Sequence, residues 1–271
     1  MNAVIRNDSL AAMRQGLHVS VSQVKSWLMC PRKYQFQYVL GAESEHRPVA
    51  LALGTAVHRA LEAFYEHIQA HHAPPPVEAV ATAFVDRWAV EVRDPLPLRF
   101  DDGQDADGVQ DQGVALLEAF CRQGFVPDEV LAVEQPFAVE LVDPATAEVC
   151  DIPLVGAVDL VARHQGRVWL VEHKTAARRF TPDRIAYDFQ PTCYLHAARD
   201  LGLDQPATAF QILLKQKKPT VETIPLTRTE NDVNEMIDTF LHALRGIEAG
   251  AFPRNRGWAC GDCQFKGRCG G

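Results

Sequence analysis

Apolar residues recur every three or four positions in several stretches of the chain, a spacing that predicts amphipathic helices. We expect helices over about 21–39, 54–71, 77–92, 114–122, 186–201 and 231–248. Pro31 lies inside the first of these and predicts a break there, or the start of a second helix. Shorter β-branched runs predict strands over 130–141, 154–163, 167–172, 209–214 and 221–226. Helices at both ends with strands between them predict a mixed α/β fold.

The order of these elements suggests one domain with four parts. We expect a single domain over residues 1–271, beginning with a loose tail over 1–18 and a helical N-terminal part over 20–125. Residues 126–227 would form the sheet core, and 228–271 would hold a last helix and a cysteine-rich end. The stretch 93–112 is rich in Pro, Asp and Gly, which predicts an exposed acidic loop.

Composition narrows the class of protein. The hydrophobic fraction of 47% and the charged fraction of 23% are those of an ordinary globular protein. No apolar run is long enough to span a membrane and the N-terminus lacks a secretory pattern, so we expect a cytoplasmic protein with no membrane association. A formal net charge of -8 argues against a protein that coats nucleic acid. Short basic groups outside the acidic stretch suit an enzyme that contacts a few phosphates.

Two of the predicted strands are joined by Gln165 and Gly166, which favour a two-residue hairpin turn. With that turn, Asp159 lies directly opposite Glu172. Facing carboxylates repel each other, and Mg²⁺ or Mn²⁺ would relieve the repulsion because these ions prefer oxygen ligands. Alternation puts Lys174 on the same face as Glu172, where its charge can assist a nucleophile or stabilise a phosphate. An exposed hairpin with a salt-bridge cluster is the competing interpretation.

Three polar residues outside the hairpin are candidates for the same site. His58 lies near the start of a predicted helix, and a neutral imidazole is a suitable further ligand for Mn²⁺ or Mg²⁺, although packing is the more usual role of a lone histidine. Asp188 is predicted to cap a later helix. In that helix Gln190 and Tyr194 lie four residues apart and share one face. Capping and a core tyrosine would explain these two residues equally well.

Together these segments resemble the PD-(D/E)XK nucleases, in particular the RecB-like branch. That branch includes the nuclease domains of RecB and AddB and the small CRISPR-associated exonucleases of spacer acquisition. The resemblance follows the chain in order through SVSQVKSWLMCPRKYQFQYV, GTAVH, VGAVDLV, VEHKT and DFQPTCY. It implies a restriction-endonuclease-like fold, with a mixed central sheet flanked by helices. Val158 stands where a proline would precede Asp159, so the motif that names the family is incomplete.

The resemblance also implies roles for the candidate residues. Asp159 and Glu172 would ligate Mg²⁺ or Mn²⁺, helped by His58 and by the main-chain carbonyl of His173. Lys174 would be the catalytic lysine. Contact with the scissile region, or ordering of the site, would fall to two residues of the later helix, Gln190 and Tyr194.

Cys260, Cys263 and Cys269 form a CxxC pair followed by a third cysteine after five residues. In a cytoplasmic chain such a cluster usually binds metal, and Cys30 is the natural fourth ligand of a tetrahedral site. The pattern resembles the iron–sulfur variant of the RecB-like nucleases, in which one N-terminal and three C-terminal cysteines hold a [4Fe–4S] cluster that clasps the terminal segments. Zinc is the alternative, since Cys₄ zinc sites are equally tetrahedral. Cysteines without ligand spacing are predicted to be buried thiols: Cys121, Cys150 and Cys193.

Five basic residues cluster around these cysteines in the sequence. They are candidates for contacts with DNA phosphates, and ordinary solvated charges would explain them equally well. The five are Lys33, Arg254, Arg256, Lys266 and Arg268.

The function predicted from these features is metal-dependent hydrolysis of DNA phosphodiesters, with an exonuclease favoured. The pathway would be recombination and repair, phage DNA processing or CRISPR adaptation. The expected substrate is DNA that is single-stranded or has free ends. A helicase or CRISPR adaptation proteins would be separate partners, because the chain has no GxxxxGK[ST] motif. The alternative is a DNA-binding or scaffold subunit with a vestigial or partner-dependent nuclease site.

Overall fold

The computed structural model describes residues 9–270. The α-helices are α1 (Leu10–Met13), α2 (Val21–Met29), α3 (Pro31–Tyr34), α4 (Val49–His71), α5 (Val77–Arg93), α6 (Ala106–Gln123), α7 (Pro182–Ala186), α8 (Phe189–Ala198) and α9 (Glu230–Glu248). A π-helical turn spans Gln35–Val39 and a 3-10 turn spans Trp258–Cys260. The strands are β1 (Arg47–Pro48), β2 (Leu98–Arg99), β3 (Glu129–Val142), β4 (Val149–His164), β5 (Arg167–Ala176), β6 (Ala207–Leu214) and β7 (Thr220–Leu226).

The central sheet has five strands in the order β3-β4-β5-β6-β7. Within this sheet, β5 and β6 run parallel and the other described neighbours run antiparallel. The crossover between β5 and β6 carries α7 and α8. Every residue of β6 is buried, as its apolar sequence ATAFQILL requires of an inner strand covered on both faces. Strands β1 and β2 form a separate two-stranded parallel ladder. Because it contains both parallel and antiparallel pairs, the five-stranded central sheet is mixed.

Helices cover both faces of this sheet. Helices α4, α5 and α6 bury their apolar stripes in a core that includes Phe64, Trp88 and Phe120. Helices α2, α8 and α9 build the core of the opposite face, around residues such as Val24 and Phe240. The predicted mixed α/β fold, with a central sheet flanked by helices, is confirmed. Within residues 9–270, no helix combines the length and the apolar character needed to cross a membrane.

The β4–β5 hairpin has the register that its turn predicts. His164 pairs with Arg167, and the ladder continues without a shift to Leu160 and Val171. Gln165 and Gly166 have φ angles of 50° and 74°. Two positive φ angles are what a tight hairpin turn requires, because they match the twist of the flanking strands.

The acidic stretch before the sheet is more ordered than the sequence predicts. The expected loop over 93–112 is wrong in part, because α6 begins at Ala106 and β2 lies within the stretch. Asp105 caps α6, accepting a 2.8 Å hydrogen bond from the main-chain nitrogen of Gly108. Val109 and Leu116 lie on the buried face of this helix. The cap and the buried stripe outweigh the two glycines that suggested a loop.

The N-terminal prediction is also corrected. A loose tail over 1–18 is wrong for residues 9–13, where Ser9 caps the short helix α1; residues 1–8 lie outside the described part. The break predicted at Pro31 is confirmed, since α2 ends at Met29 and α3 begins at the proline. The helix predicted over 186–201 is shorter in the structure, where α8 begins after the predicted cap Asp188 and ends at Ala198. The short helix α7, which ends at Ala186, was not predicted.

The N- and C-terminal segments are joined by hydrogen bonds. The main-chain nitrogen of Arg32 donates to the carbonyl of Pro253 at 3.2 Å, and that of Glu45 donates to the carbonyl of Gln264 at 2.9 Å. The rings of Phe36 and Phe265 pack with centroids 5.7 Å apart. These contacts bring the segment after α2 against the cysteine-rich end.

Candidate active site

Three carboxylates lie in one row across three neighbouring strands. In the β3–β4 ladder, the residue pairs immediately before and after this position place Glu134 of β3 opposite Asp159 of β4. One position beyond the last pair of the β4–β5 ladder, Asp159 lies across from Glu172 of β5, and the Tyr194 hydroxyl is close to both carboxylates. Glu172 is 3% exposed, and like charges directly opposite each other in a sheet are destabilising. The row therefore concentrates negative charge in a part of the sheet where water cannot screen it well.

This concentration of negative charge, together with burial, raises the pKa of two carboxyl groups in the row. Burial, followed by repulsion from Glu172, raises the pKa of Asp159 to about 7. Burial, followed by repulsion from Asp159, raises the pKa of Glu134 to about 8. Both shifts mean that ionised carboxylates are unfavourable here without a compensating positive charge.

Glu134 was not among the residues predicted from sequence. Its φ angle is 49°, a left-handed conformation that costs a non-glycine residue roughly 1 kcal/mol. Such strain is concentrated at functional sites. One ligand atom each from His58, Glu134 and Asp159 lies within 4.8 Å of the others. The available signal was a lone glutamate inside the apolar run VLAVEQPF.

His58 connects helix α4 to the row. Its Nδ1 lies 3.6 Å from Oδ2 of Asp159, and its Nε2 lies 3.1 Å from the main-chain oxygen of His173. The main-chain nitrogen of His173 donates to Asp159 Oδ2 at 2.8 Å. The His173 ring is buried and stacks on Tyr65 at 5.4 Å. Burial lowers the pKa of that ring to about 3, so it adds no charge.

The other end of the row contacts a lysine and a tyrosine. Lys174 forms an ion pair with Glu172. Burial alone would lower the pKa of Lys174, but the charge and hydrogen bond of Glu172, together with the charges of Asp159 and Asp188, outweigh it and the pKa is raised. The hydroxyl of Tyr194 contacts Glu172 Oε2 and lies 3.4 Å from Asp159 Oδ1. The side-chain amide of Gln190 donates to the Tyr194 hydroxyl at 3.3 Å.

Helix α8 is held in place by its first residues. Asp188 caps it, accepting from the main-chain nitrogen of Gln190 at 2.9 Å. Lys25 of α2 forms a 2.8 Å ion pair with Asp188. Burial would raise the pKa of Asp188, but the charge of Lys25 lowers it. Every residue that the sequence proposed for the carboxylate centre is thus brought into one network.

A cavity of about 700 Å³ opens over two members of the carboxylate row, Glu134 and Asp159. Helix α4 forms one wall with Thr55, His58 and Arg59, and α5 contributes Arg87. Asp159 and Lys174 form part of its lining. The cavity gives a ligand access to the network.

A second cavity of about 190 Å³ is lined by all four cysteines with predicted ligand spacing. Cys30 precedes α3, and the other three lie in turns. Basic and aromatic residues complete the lining: Arg32, Lys33, Arg256, Lys266, Phe36 and Phe265. Arg254 and Arg268 are exposed and do not line it. Cys193 is buried as predicted, whereas Cys121 and Cys150 are only half-buried, because each lies at the edge of a core cluster.

Comparison with known proteins defines the class to which this fold and site belong. The sequence model of the PD-(D/E)XK nuclease superfamily matches residues 18–270. The chain therefore belongs to the PD-(D/E)XK nuclease superfamily. A comparison with curated protein sequences returns no match.

Comparison with solved structures gives one similarity that supports the fold. A crystal structure named "Putative exonuclease" from Eubacterium rectale is 14% identical in sequence, with a TM-score of 0.56. The similarity covers 95% of this chain and 90% of that one. A structure named SSO0001 is also 14% identical, with a TM-score of 0.38, over 89% of this chain and 94% of that one. The first of these similarities supports a shared fold.

Proposed function

We propose that this protein is a deoxyribonuclease dependent on Mg²⁺ or Mn²⁺, and that it acts as an exonuclease. The observation that carries the proposal is the row formed by Glu134, Asp159 and Glu172 beside Lys174. Buried carboxylates that repel one another are costly in an ordinary sheet. At an open cavity they have a clear use, which is to hold a divalent cation against a phosphodiester.

The residues present suit such a cation. Carboxylate and carbonyl oxygens are the ligands that Mg²⁺ and Mn²⁺ prefer, and imidazole is compatible with Mn²⁺. Asp159 would be the central ligand, with His58, Glu134 or Glu172, and the main-chain carbonyl of His173 around it. When bound, the cation would polarise the phosphodiester and lower the pKa of water.

The chain's own groups supply the remaining chemistry. The raised pKa of Lys174 keeps it protonated, which favours a role as a cation that stabilises charge on the phosphate, not as a base. Glu172 fixes its ammonium group by an ion pair. Tyr194 and Gln190 hold Glu172 from the opposite side, so their role is to position the carboxylate.

We also propose a [4Fe–4S] cluster in the cysteine cavity, with Cys30, Cys260, Cys263 and Cys269 as ligands. A single zinc ion would draw the four sulfurs to roughly 3.8 Å from one another, given the Zn–S distance of a tetrahedral site. Among residues 9–270, no three cysteine sulfurs lie within 4.8 Å of one another. The wider spacing suits a larger cluster, and the basic lining suits the negative charge of four thiolates around either kind of centre.

The biological setting belongs to the same proposal. DNA with free ends, or single-stranded DNA, is the proposed substrate, and the name of the Eubacterium rectale structure supports an exonuclease. Recombination and repair, phage DNA processing and CRISPR adaptation are the proposed pathways. A helicase or CRISPR adaptation proteins would be separate partners. A cytoplasmic location is proposed because cysteine thiolates need a reducing compartment.

The test uses protein that is purified in the absence of oxygen. It is incubated separately with linear and with circular single-stranded DNA. We expect Mn²⁺ or Mg²⁺ to support degradation of the linear form, and EDTA to stop it. A brown sample with broad absorption near the blue end of the spectrum is expected for the cluster, and a colourless sample with stoichiometric zinc would contradict it. If neither DNA is degraded with any divalent ion, the nuclease proposal is wrong. A DNA-binding or scaffold subunit then becomes the favoured function.

A further inference from the structure

A buried ion-pair cluster lies beside the carboxylate cavity and is not explained by the proposed chemistry. Glu91 of α5 is 1% exposed and forms ion pairs with Arg47 and Arg87. A buried carboxylate must be paired to be tolerated. Here one carboxylate is paired with two guanidinium groups, which leaves one positive charge in excess.

This cluster faces the same cavity as the carboxylate row. Arg87 is part of the lining. Arg47 donates to Thr55 Oγ1 at 3.0 Å, and Thr55 also lines the cavity. Thr55 and His58 lie three residues apart on α4, so roughly 5 Å separates them along the helix axis. Arg47 therefore contacts α4 about one helical turn from His58, and Arg87 lines the same cavity as Asp159.

The arginines have unused capacity to bind an anion. Among residues 9–270, Arg87 pairs with Glu91 through one of its two terminal nitrogens, which leaves the other terminal nitrogen for a ligand. The exposed fraction of the Arg87 side chain is 39% and that of Arg47 is 24%, so both are partly accessible to solvent. Arg87 lies in the cavity wall, and Arg47 is bonded to Thr55 of that wall. Arg59 lines the cavity too, but it pairs with two glutamates, so its charge is already balanced.

We infer that Arg47 and Arg87 bind a backbone phosphate next to the scissile one, and that Glu91 positions them. The inference rests on the proposed function, because it takes the substrate to be a DNA strand. Guanidinium groups match phosphate oxygens in geometry as well as charge. The carboxylate row and the net charge of -8 repel DNA, so a fixed positive group beside the row is needed to hold the strand.

Single substitutions of the arginines test the binding role. Arg47→Ala and Arg87→Ala should each raise KM for a single-stranded oligonucleotide about tenfold, with kcat within about twofold of wild type. Anisotropy titrations of a labelled oligonucleotide in EDTA should show the same loss of affinity and a salt slope smaller by about one. Arg93→Ala is the matched control, because Arg93 is an exposed residue at the end of α5 and should change nothing.

Two further variants test the positioning role. Glu91→Gln removes a negative charge, so charge alone would tighten DNA binding. Positioning by Glu91 predicts the opposite, a loss of affinity about as large as that of Arg87→Ala. Arg87→Lys keeps the charge and loses the planar fork. Arg87→Lys should keep the wild-type salt slope, while its KM should stay above that of wild type. It tests the role of Arg87 even if Arg87→Ala fails to fold.

Three results would overturn the inference. They are an unchanged KM and salt slope in the arginine variants, tighter binding by Glu91→Gln, or an effect seen only when the oligonucleotide carries a terminal phosphate. The binding titrations in EDTA need no cleavage, so they decide the inference even if wild-type protein proves inactive. Cleavage by wild type with unaltered binding by every arginine variant would remove the inference and leave the proposed function intact.

Discussion

The carboxylate row and the cysteine cavity are built in contrasting ways. The row lies on three adjacent strands, and main-chain groups fix its geometry, as in the hydrogen bond from His173 to Asp159. The cysteine cavity is assembled from one helix start and a series of turns at opposite ends of the chain. The comparison teaches that the first site is held in place by the sheet against its own repulsion, whereas no sheet holds the second, which we propose to be stabilised by a bound cluster.

Removing the centre of the row should have the largest effect on activity and little on the fold. Asp159→Ala and Lys174→Ala should each lower Mn²⁺-supported DNA degradation by about a thousandfold or more. The melting temperature of Asp159→Ala without metal should not fall, because the substitution removes repulsion from Glu172 and Glu134. Asp151→Ala, at an exposed aspartate of the same strand, is the control. Undiminished activity in either purified variant would end the site assignment.

Substitution of a cysteine in the second cavity should lower the stability of the fold, unlike substitution in the carboxylate row. Cys30→Ala should abolish the visible absorption and lower the melting temperature by about 10 °C, because the bound group links segments far apart in sequence. Calorimetry and absorption spectra provide the measurements. Cys150→Ala, at a half-buried cysteine outside the cavity, should keep the absorption. Full absorption in the Cys30 variant would show that this residue is not a ligand.

Loss of the tyrosine hydroxyl tests how the row is positioned. Tyr194→Phe removes the contact with Glu172 and should lower kcat about tenfold with KM unchanged, since the carboxylate loses one fixed partner. Initial rates over a range of DNA concentrations separate the two constants. Tyr187→Phe, at a 78% exposed tyrosine just before α8, is the matched control. Equal kcat in the two variants would contradict a positioning role for Tyr194.

The smallest expected effect is on the pH dependence of stability. The folded pKa values of about 7 for Asp159 and about 8 for Glu134 exceed the value of about 4 expected for an unfolded chain. The metal-free folded protein therefore holds protons that the unfolded chain releases between about pH 4 and pH 8. The stabilisation is complete below that window and is lost as pH rises through it.

Glu134→Gln removes one of these groups and gives the test. The melting temperature of metal-free wild type should fall between pH 5 and pH 8 by a few °C more than that of the variant. Mn²⁺ should raise the melting temperature of wild type more at pH 8 than at pH 5, because protons compete with the metal. Glu140→Gln, at an exposed glutamate of the same strand, is the control. Parallel pH profiles for wild type and Glu134→Gln would show that Glu134 lies outside the charge cluster.

The sequence was sufficient where one local rule governed the outcome. The two-residue turn at Gln165 and Gly166 determined the register of the hairpin and with it the facing of Asp159 and Glu172. The four-residue spacing of Gln190 and Tyr194 predicted their shared helix face. Asp188 was predicted as a cap and is one. Local rules failed at the acidic stretch, where buried contacts of α6 outweighed its loop-like composition.

Only the tertiary structure decided which distant groups share a site. Pairing of β3 with β4 brought Glu134 opposite Asp159, and no turn or spacing in the sequence fixes that register. Packing of α5 against α4 brought Arg87 and the buried Glu91 to the cavity. The physical reason is that periodicity and turns act over a few residues, whereas strand neighbours and helix contacts are chosen by burial of the whole apolar surface. The sequence by itself determined the hairpin and which of its polar residues share a face, and the packed fold determined the third carboxylate and the arginines beside it.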